Sequence, residues 1–127
     1  MIKSLICIGA GSCLGGVARY VLSQTIDSRF SGGQFPVGTL AVNVLGCFAI
    51  GLIGAAISCT GNGSDAWRLF LTVGFCGGFT TFSTFINENH ALLSAGQFAV
   101  SAAYAALSLL LGLAALYAAL TLMRHIL

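Results

Sequence analysis

Four apolar runs, each closed by a short polar segment, leave this chain few ways to fold. They cover about 4–26, 37–59, 67–94 and 97–123, and each has the roughly 20 residues needed to cross a bilayer. Inside lipid no water is present to satisfy backbone N–H and C=O groups, so such runs cross as helices. The whole chain is 57% apolar and only 6% charged, too little polar surface for a water-soluble domain of 127 residues. The expected fold is therefore an all-α membrane protein, a single domain over 1–127 with four transmembrane helices. Pro36, with its preset φ, suits the start of the second helix. Tyr20 and Trp67 fall near span ends, where amphipathic rings favour the interface.

The sparse charge excludes a nucleic-acid surface: five cations and three acids make no basic stripe. With four spans, Lys3, Arg68 and Arg124 share one side, against Arg29 and Arg19 on the other. That is almost no positive-inside bias. Two readings stay open at this point: one fixed orientation with few charges, or insertion both ways with an antiparallel homodimer. Small residues at helical spacing (Gly11 and Gly15; Gly46, Gly51 and Gly54) let backbones approach closely, within the chain or at a subunit seam. A bundle of four short helices is thin for a transport path, so an oligomer is expected. Lys3 and the segment up to Cys13 loosely mimic a lipoprotein signal, but the apolar run continues to Leu22, which disfavours cleavage. Cys7, Cys13, Cys47, Cys59 and Cys76 show no metal-ligand spacing and suit small buried thiols.

The third span is the unusual one. Gly74 to Phe85 combines glycines, hydroxyls and four phenylalanines close to the middle of an apolar run. Gly77-Gly78 weakens a helix by about 1 kcal/mol per glycine relative to alanine. A break there frees carbonyls that could coordinate a hard cation such as sodium. The alternative is a packing notch where another helix crosses. Phe75, Phe79, Phe82 and Phe85 share a face if the helix is continuous, either as packing or as ring edges turned towards an anion. Asn43, on a stripe with Thr39 and Gly46, suits helix–helix bonding and path lining equally. Ser101, Tyr104 and Ser108 make one polar face on the fourth span. Glu88 lies off-centre, with a solvated or capping role as open as a functional one. His90 and His125 suit the interface, and Arg19 suits snorkelling or a positive vestibule.

Taken together these residues resemble the small bacterial fluoride channels known as the Fluc or CrcB family, along all four spans. The matching motifs are Gly11-x-x-x-Gly15-x-x-x-Arg19, Gly38-Thr39-Leu40-x-x-Asn43-x-x-Gly46, and the run from Gly74 through Gly77-Gly78 and Thr80-Thr81-Phe82-Ser83-Thr84-Phe85 to Glu88, with Tyr104 and Ser108 in the fourth span. The resemblance implies a third helix broken at mid-membrane and an antiparallel, dual-topology homodimer with two fluoride paths. Phe82 and Phe85 match the aromatic pair of each path, and Asn43 the amide that orients path groups. Ser83, Thr84, Tyr104 and Ser108 match polar groups along it. Backbone carbonyls of Gly77 and Thr80, from both subunits, match a structural, untransported sodium at the dimer centre. The implied function is passive export, across the bacterial inner membrane, of fluoride that entered as hydrofluoric acid.

Two positions depart from the family pattern. Ile86 stands where a small polar residue often follows the second phenylalanine, and Gly112 where a further hydroxyl is common. The physical reading agrees with the resemblance, because a path for fluoride must replace bound water with donors yet hold the ion weakly enough to release it. The rival reading is a small four-helix, proton-coupled multidrug transporter. It requires a membrane-embedded carboxylate. The first span has none, and Glu88 is off-centre. A third reading, a non-transporting accessory subunit, leaves the glycine break without a purpose. No catalytic residues are expected on any of these readings.

Overall fold

A computed structural model describes residues 1–61 and 63–127, and all regular structure among them is helical. Helix α1 spans Ile2–Arg29 and α2 spans Val37–Thr60. The third apolar run is divided. It comprises α3 (Asp65–Leu69), a π-helical stretch (Phe70–Cys76), the short α4 (Gly77–Phe79) and α5 (Phe82–Ser94). Helix α6 spans Phe98–Ile126. Four helical runs are long and apolar enough to cross a membrane, so the chain is a multi-pass membrane protein. The polar segment between the second and third apolar runs includes Asn62, which lies outside the described residues.

Local chemistry accounts for most of the boundaries. The polar segment expected from Asp27 begins later, because α1 continues to Arg29 and the Phe30 N–H bonds the Ile26 and Asp27 carbonyls. The Asp27 carboxylate then caps α2, accepting the Gly38 N–H at 2.8 Å in place of any cap from Pro36. At the other end of α2, Gly61 takes a left-handed φ of 60° and its N–H bonds the Ile57 carbonyl. Ser64 caps α3 through the Trp67 N–H. Helix α5 closes with Gly96 at φ 76°, the Gln97 N–H reaching back to the Leu92 carbonyl and the Gly96 N–H to that of Leu93. This paired pattern is a Schellman motif, and it turns the chain tightly into α6.

Helix α1 packs along the first half of the divided span, while α2 lies against α6, which also receives α5. The glycine motif of α1 sets the first of these contacts. A Cβ on Gly15 would strike the Phe75 carbonyl and come within 2.9 Å of the Phe79 nitrogen. One on Gly11 would reach the Phe75 nitrogen at 2.8 Å. Gly78 answers from the other side: a Cβ there would lie 2.5 Å from the Ser12 carbonyl oxygen. Small-residue packing between backbones is thus intrachain at these positions. Gly46 and Gly51 instead make room for side chains, those of Thr80 and Ala119, whereas Gly54 meets nothing within 4 Å.

Candidate functional site

The third span leaves the helix at Thr80 and Thr81, not at the glycine pair. Gly77 is helical (φ −64°, ψ −37°), whereas Thr80 (φ −89°, ψ 154°) and Thr81 (φ −148°, ψ 119°) are extended. Gly78 is therefore the packing notch that the sequence left open, Gly77 beside it is exposed, and the break follows them. The interruption also separates the phenylalanines, which a continuous helix would have kept on one face. Phe75 and Phe79 stack at 5.8 Å, with Phe79 buried; Phe82 and Phe85 form a second pair at 5.9 Å beyond the break.

Asn43 holds the break. Its Nδ2 donates to the Thr81 carbonyl at 3.1 Å, and the Thr81 N–H donates to its Oδ1 at 2.8 Å. The side-chain amide thus replaces the backbone partners that Thr81 loses by leaving the helix. Extended backbone in a spanning segment survives only with such internal satisfaction. The Thr81 hydroxyl then starts α5 by accepting the Thr84 N–H at 3.3 Å, and it lies 3.1 Å from the Thr84 hydroxyl and 3.4 Å from that of Ser83. The Thr81 N–H does not close onto Gly77, and the Thr84 N–H turns to a side chain, so the carbonyls of Gly77 and Thr80 accept no bond among the described residues. Arg19 donates from Nε to the neighbouring Gly78 carbonyl at 3.2 Å. Its guanidinium is placed on the broken helix rather than stretched along the span to the interface.

A cleft of about 580 Å³ opens beside this break. Asn43, Gly77, Thr80, Phe82, Phe85 and Ser108 all line it, and none of its lining residues is charged. Phe82 is 75% exposed, while the Ser108 Oγ is buried and has no hydrogen-bond partner among the described residues. Ser83, Thr84, Tyr104 and Arg19 are not among the lining residues. Tyr104 stands behind Phe85, fully buried, with ring centroids 5.0 Å apart. Its hydroxyl donates to Glu88 Oε2 at 2.6 Å, and the Thr39 hydroxyl donates to Glu88 Oε1 at 2.6 Å. Ser101, on the same stripe of α6, donates to Asn89 instead. The polar face expected on α6 is therefore divided among three partners, one of them absent. Ile86 is exposed, and Gly112 is buried, a Cβ there lying 3.3 Å from the Cys47 sulfur. The five cysteines are free, and no group of three metal-ligating side chains occurs among the described residues.

Sequence reasoning underrated Thr81 and Glu88. Thr81 carried a usable signal, a threonine just before an apolar run, which is a cap position. Glu88 carried a weaker one. Thr39 and Asn43 share a face of α2, so whatever Asn43 meets on the third span, Thr39 meets one or two turns further on. No signal within one segment joins Tyr104 to that pair.

Residues 6–120 match the family described as CrcB-like protein, Camphor Resistance (CrcB). A protein of Chlorobium phaeobacteroides named fluoride-specific ion channel FluC is 45% identical over 116 residues, covering 91% of this chain and 88% of that protein. The protein of the same name from Chlorobaculum tepidum is 44% identical, covering 92% and 91%; that from Rhizobium etli is 42% identical, covering 98% of both. These relatives carry the name of a channel, a function that involves no enzymatic step. A match of this extent, over a four-span chain whose third span is interrupted beside an uncharged cleft, places the protein in the CrcB family.

Proposed function

We propose that the protein is a fluoride-selective ion channel of the bacterial inner membrane, through which fluoride leaves the cytoplasm passively. The observation that carries this reading is the cleft beside the break. It brings the exposed Phe82, Phe85 and the unpartnered Ser108 hydroxyl together with no charged side chain in the lining. A buried hydroxyl without an acceptor is costly unless something takes its proton. A small anion does so, and the positive edges of the two rings favour it further. A cationic side chain against the two rings and the Ser108 hydroxyl would hold the anion too firmly to let it pass, so a lining free of charged side chains suits conduction. Ser83 and Thr84, clustered on the Thr81 hydroxyl, extend the set of hydroxyls at the start of α5.

The working unit on this reading is an antiparallel, dual-topology homodimer with two paths. The open side of the cleft, with the exposed Phe82 and Gly77, supports a second subunit there. The Gly77 and Thr80 carbonyls accept no bond among the described residues and are hard oxygen donors, so they fit a sodium ion shared with the partner chain. Such an ion, when bound, supplies fixed positive charge at the subunit contact. Arg19, bonded to the adjacent Gly78 carbonyl, adds positive potential at the same level of the span. The multidrug reading finds no support here, because both Glu88 oxygens already accept hydroxyl protons.

Efflux from liposomes loaded with fluoride, read with a fluoride electrode, tests the reading. The reconstituted protein is expected to release fluoride without proton coupling and with little chloride flux. Ser108→Ala, which deletes the unpartnered hydroxyl, should slow release. A folded dimer that releases no fluoride ends the channel reading.

A further inference from the structure

We infer that a groove between the closing turns of α2 and α6 binds an anionic phospholipid, with an acyl chain in the groove and the phosphate on Arg124. The groove is separate from the cleft beside the break, and no residue lines both.

Helix packing explains why a groove exists there. A Cβ on Gly51 would lie 2.8 Å from the Ala119 Cβ and 3.0 Å from the Leu116 carbonyl oxygen, so α2 and α6 are in close contact at that level. Three residues on, a Cβ on Gly54 would meet nothing within 4 Å. The helices part beyond Gly51, and a cavity of about 330 Å³ opens between them. Ligand pockets start at about this size, roughly 300 Å³. Glycine weakens a helix relative to alanine, and at Gly54 no close contact within the chain offsets that weakness.

The chemistry of the walls selects the occupant. Gly54, Ala55, Leu120 and Met123 supply apolar surface, and Arg124 is the only charged residue in the lining. It is exposed, and no acid in the lining neutralises it. Ser58 lines the groove too, but its hydroxyl donates to the Gly54 carbonyl at 2.9 Å, which leaves the headgroup to Arg124. The walls belong to the second and fourth spans, which end on the same side of the bilayer. Leu120 lies one turn, about 6 Å, deeper than Arg124, and Gly54 as far below Ser58. An apolar groove that rises from the hydrocarbon to a cation at headgroup level fits a phospholipid along its length. A second copy of this chain fits less well, because two of its three acids are already committed. Asp27 accepts the Gly38 N–H, and Glu88 accepts two hydroxyl protons.

Native mass spectrometry of the full chain in detergent, titrated with lipid, tests the inference without reference to conduction. The probes are phosphatidylglycerol, phosphatidylcholine and water-soluble glycerol phosphate. The proteins are the parent, Arg124→Gln, Arg124→Lys and Gly54→Leu. The parent should bind phosphatidylglycerol more tightly than phosphatidylcholine. Arg124→Gln should weaken phosphatidylglycerol about fivefold, the value of one cation near an anionic headgroup, and leave phosphatidylcholine unchanged. Arg124→Lys should keep the preference. Gly54→Leu fills the groove and should weaken both lipids about tenfold or more.

Equal binding of the two lipids by the parent, or a preference that survives Arg124→Gln, overturns the inference. Glycerol phosphate bound as tightly as phosphatidylglycerol would make Arg124 a site for a free anion and overturn it as well. Lipid binding left intact by Gly54→Leu also overturns it, and a changed elution volume on size exclusion would then name a second copy as the occupant. If Gly54→Leu does not fold, Arg124→Gln decides alone, since it alters only an exposed side chain.

Discussion

Replacing Asn43 with alanine removes the one side chain that satisfies both backbone groups of Thr81, and the cost can be worked from the geometry. Two hydrogen bonds disappear, at 3.1 and 2.8 Å. An N–H or C=O left unsatisfied when buried costs about 1–3 kcal/mol each, which sets an upper figure near 6. Two features lower it. Asn43 and Thr81 are only partly buried, and both line the 580 Å³ cleft, where water can reach one of the freed groups. Side-chain hydrogen bonds within membrane bundles have also averaged only about 0.6 kcal/mol, up to about 1.7. About 2 kcal/mol is the resulting expectation for Asn43→Ala, a shift of roughly 30-fold in the unfolding equilibrium. Asn43→Asp keeps the acceptor for the Thr81 N–H but loses the donor to its carbonyl, so it should fall below the parent as well. Reversible unfolding in mixed detergent micelles, followed by helix content, measures both. Amide exchange at Thr81 should rise in parallel, since its protected N–H depends on the Asn43 oxygen alone. An alanine variant within about 0.5 kcal/mol of the parent, the range of an ordinary surface substitution, would refute the clasp.

Other perturbations separate packing from conduction. Gly15→Ala forces a methyl onto the Phe75 backbone and should destabilise by about 1–3 kcal/mol, whereas Gly9→Ala, with nothing within 4 Å, should be neutral or stabilise by up to about 1 kcal/mol; unfolding midpoints compare them. Phe82→Ile keeps bulk but removes the ring edge, so fluoride efflux should fall about tenfold or more while the elution volume on size exclusion stays that of the parent. Purification without sodium should weaken the proposed dimer if the Gly77 and Thr80 carbonyls hold that ion, and sodium should restore it where large organic cations do not; cross-linking yield reads the difference.

What the sequence conveyed and what it withheld divide along physical lines. Span number followed from apolar length alone, because lipid enforces helix wherever the run is long enough. The notch at Gly11, Gly15 and Gly78 was visible as spacing, since close approach requires a missing Cβ at regular intervals. The place of the break was not. Glycine weakens a helix, so Gly77-Gly78 drew the expectation, yet both stay helical, Gly78 fitted closely against Ser12 of α1. The interruption falls instead at two threonines, where a partner from another span, Asn43, satisfies the extended backbone. Propensity reads one segment at a time, and this decision is made between two. The Glu88 junction was hidden for the same reason, its three members being 49 and 16 residues apart along the chain.

The few polar groups near the break become informative once their partners are counted. Asn43 is committed to Thr81, Arg19 donates to Gly78, and Glu88 holds Thr39 and Tyr104. Each of these would be expensive in lipid without its partner, and each partner is a group the fold itself must satisfy. Structure therefore consumes the charged and amide side chains and keeps them out of free contact with a passing ion. Without a partner among the described residues are the Ser108 hydroxyl and the carbonyls of Gly77 and Thr80, one proton donor and two acceptors beside the same cleft. On the proposed reading the hydroxyl takes an anion and the carbonyls a cation. The one buried side-chain oxygen without a hydrogen-bond partner among the described residues thus lies on the cleft where the third span breaks, which is where a path for an ion needs a free donor.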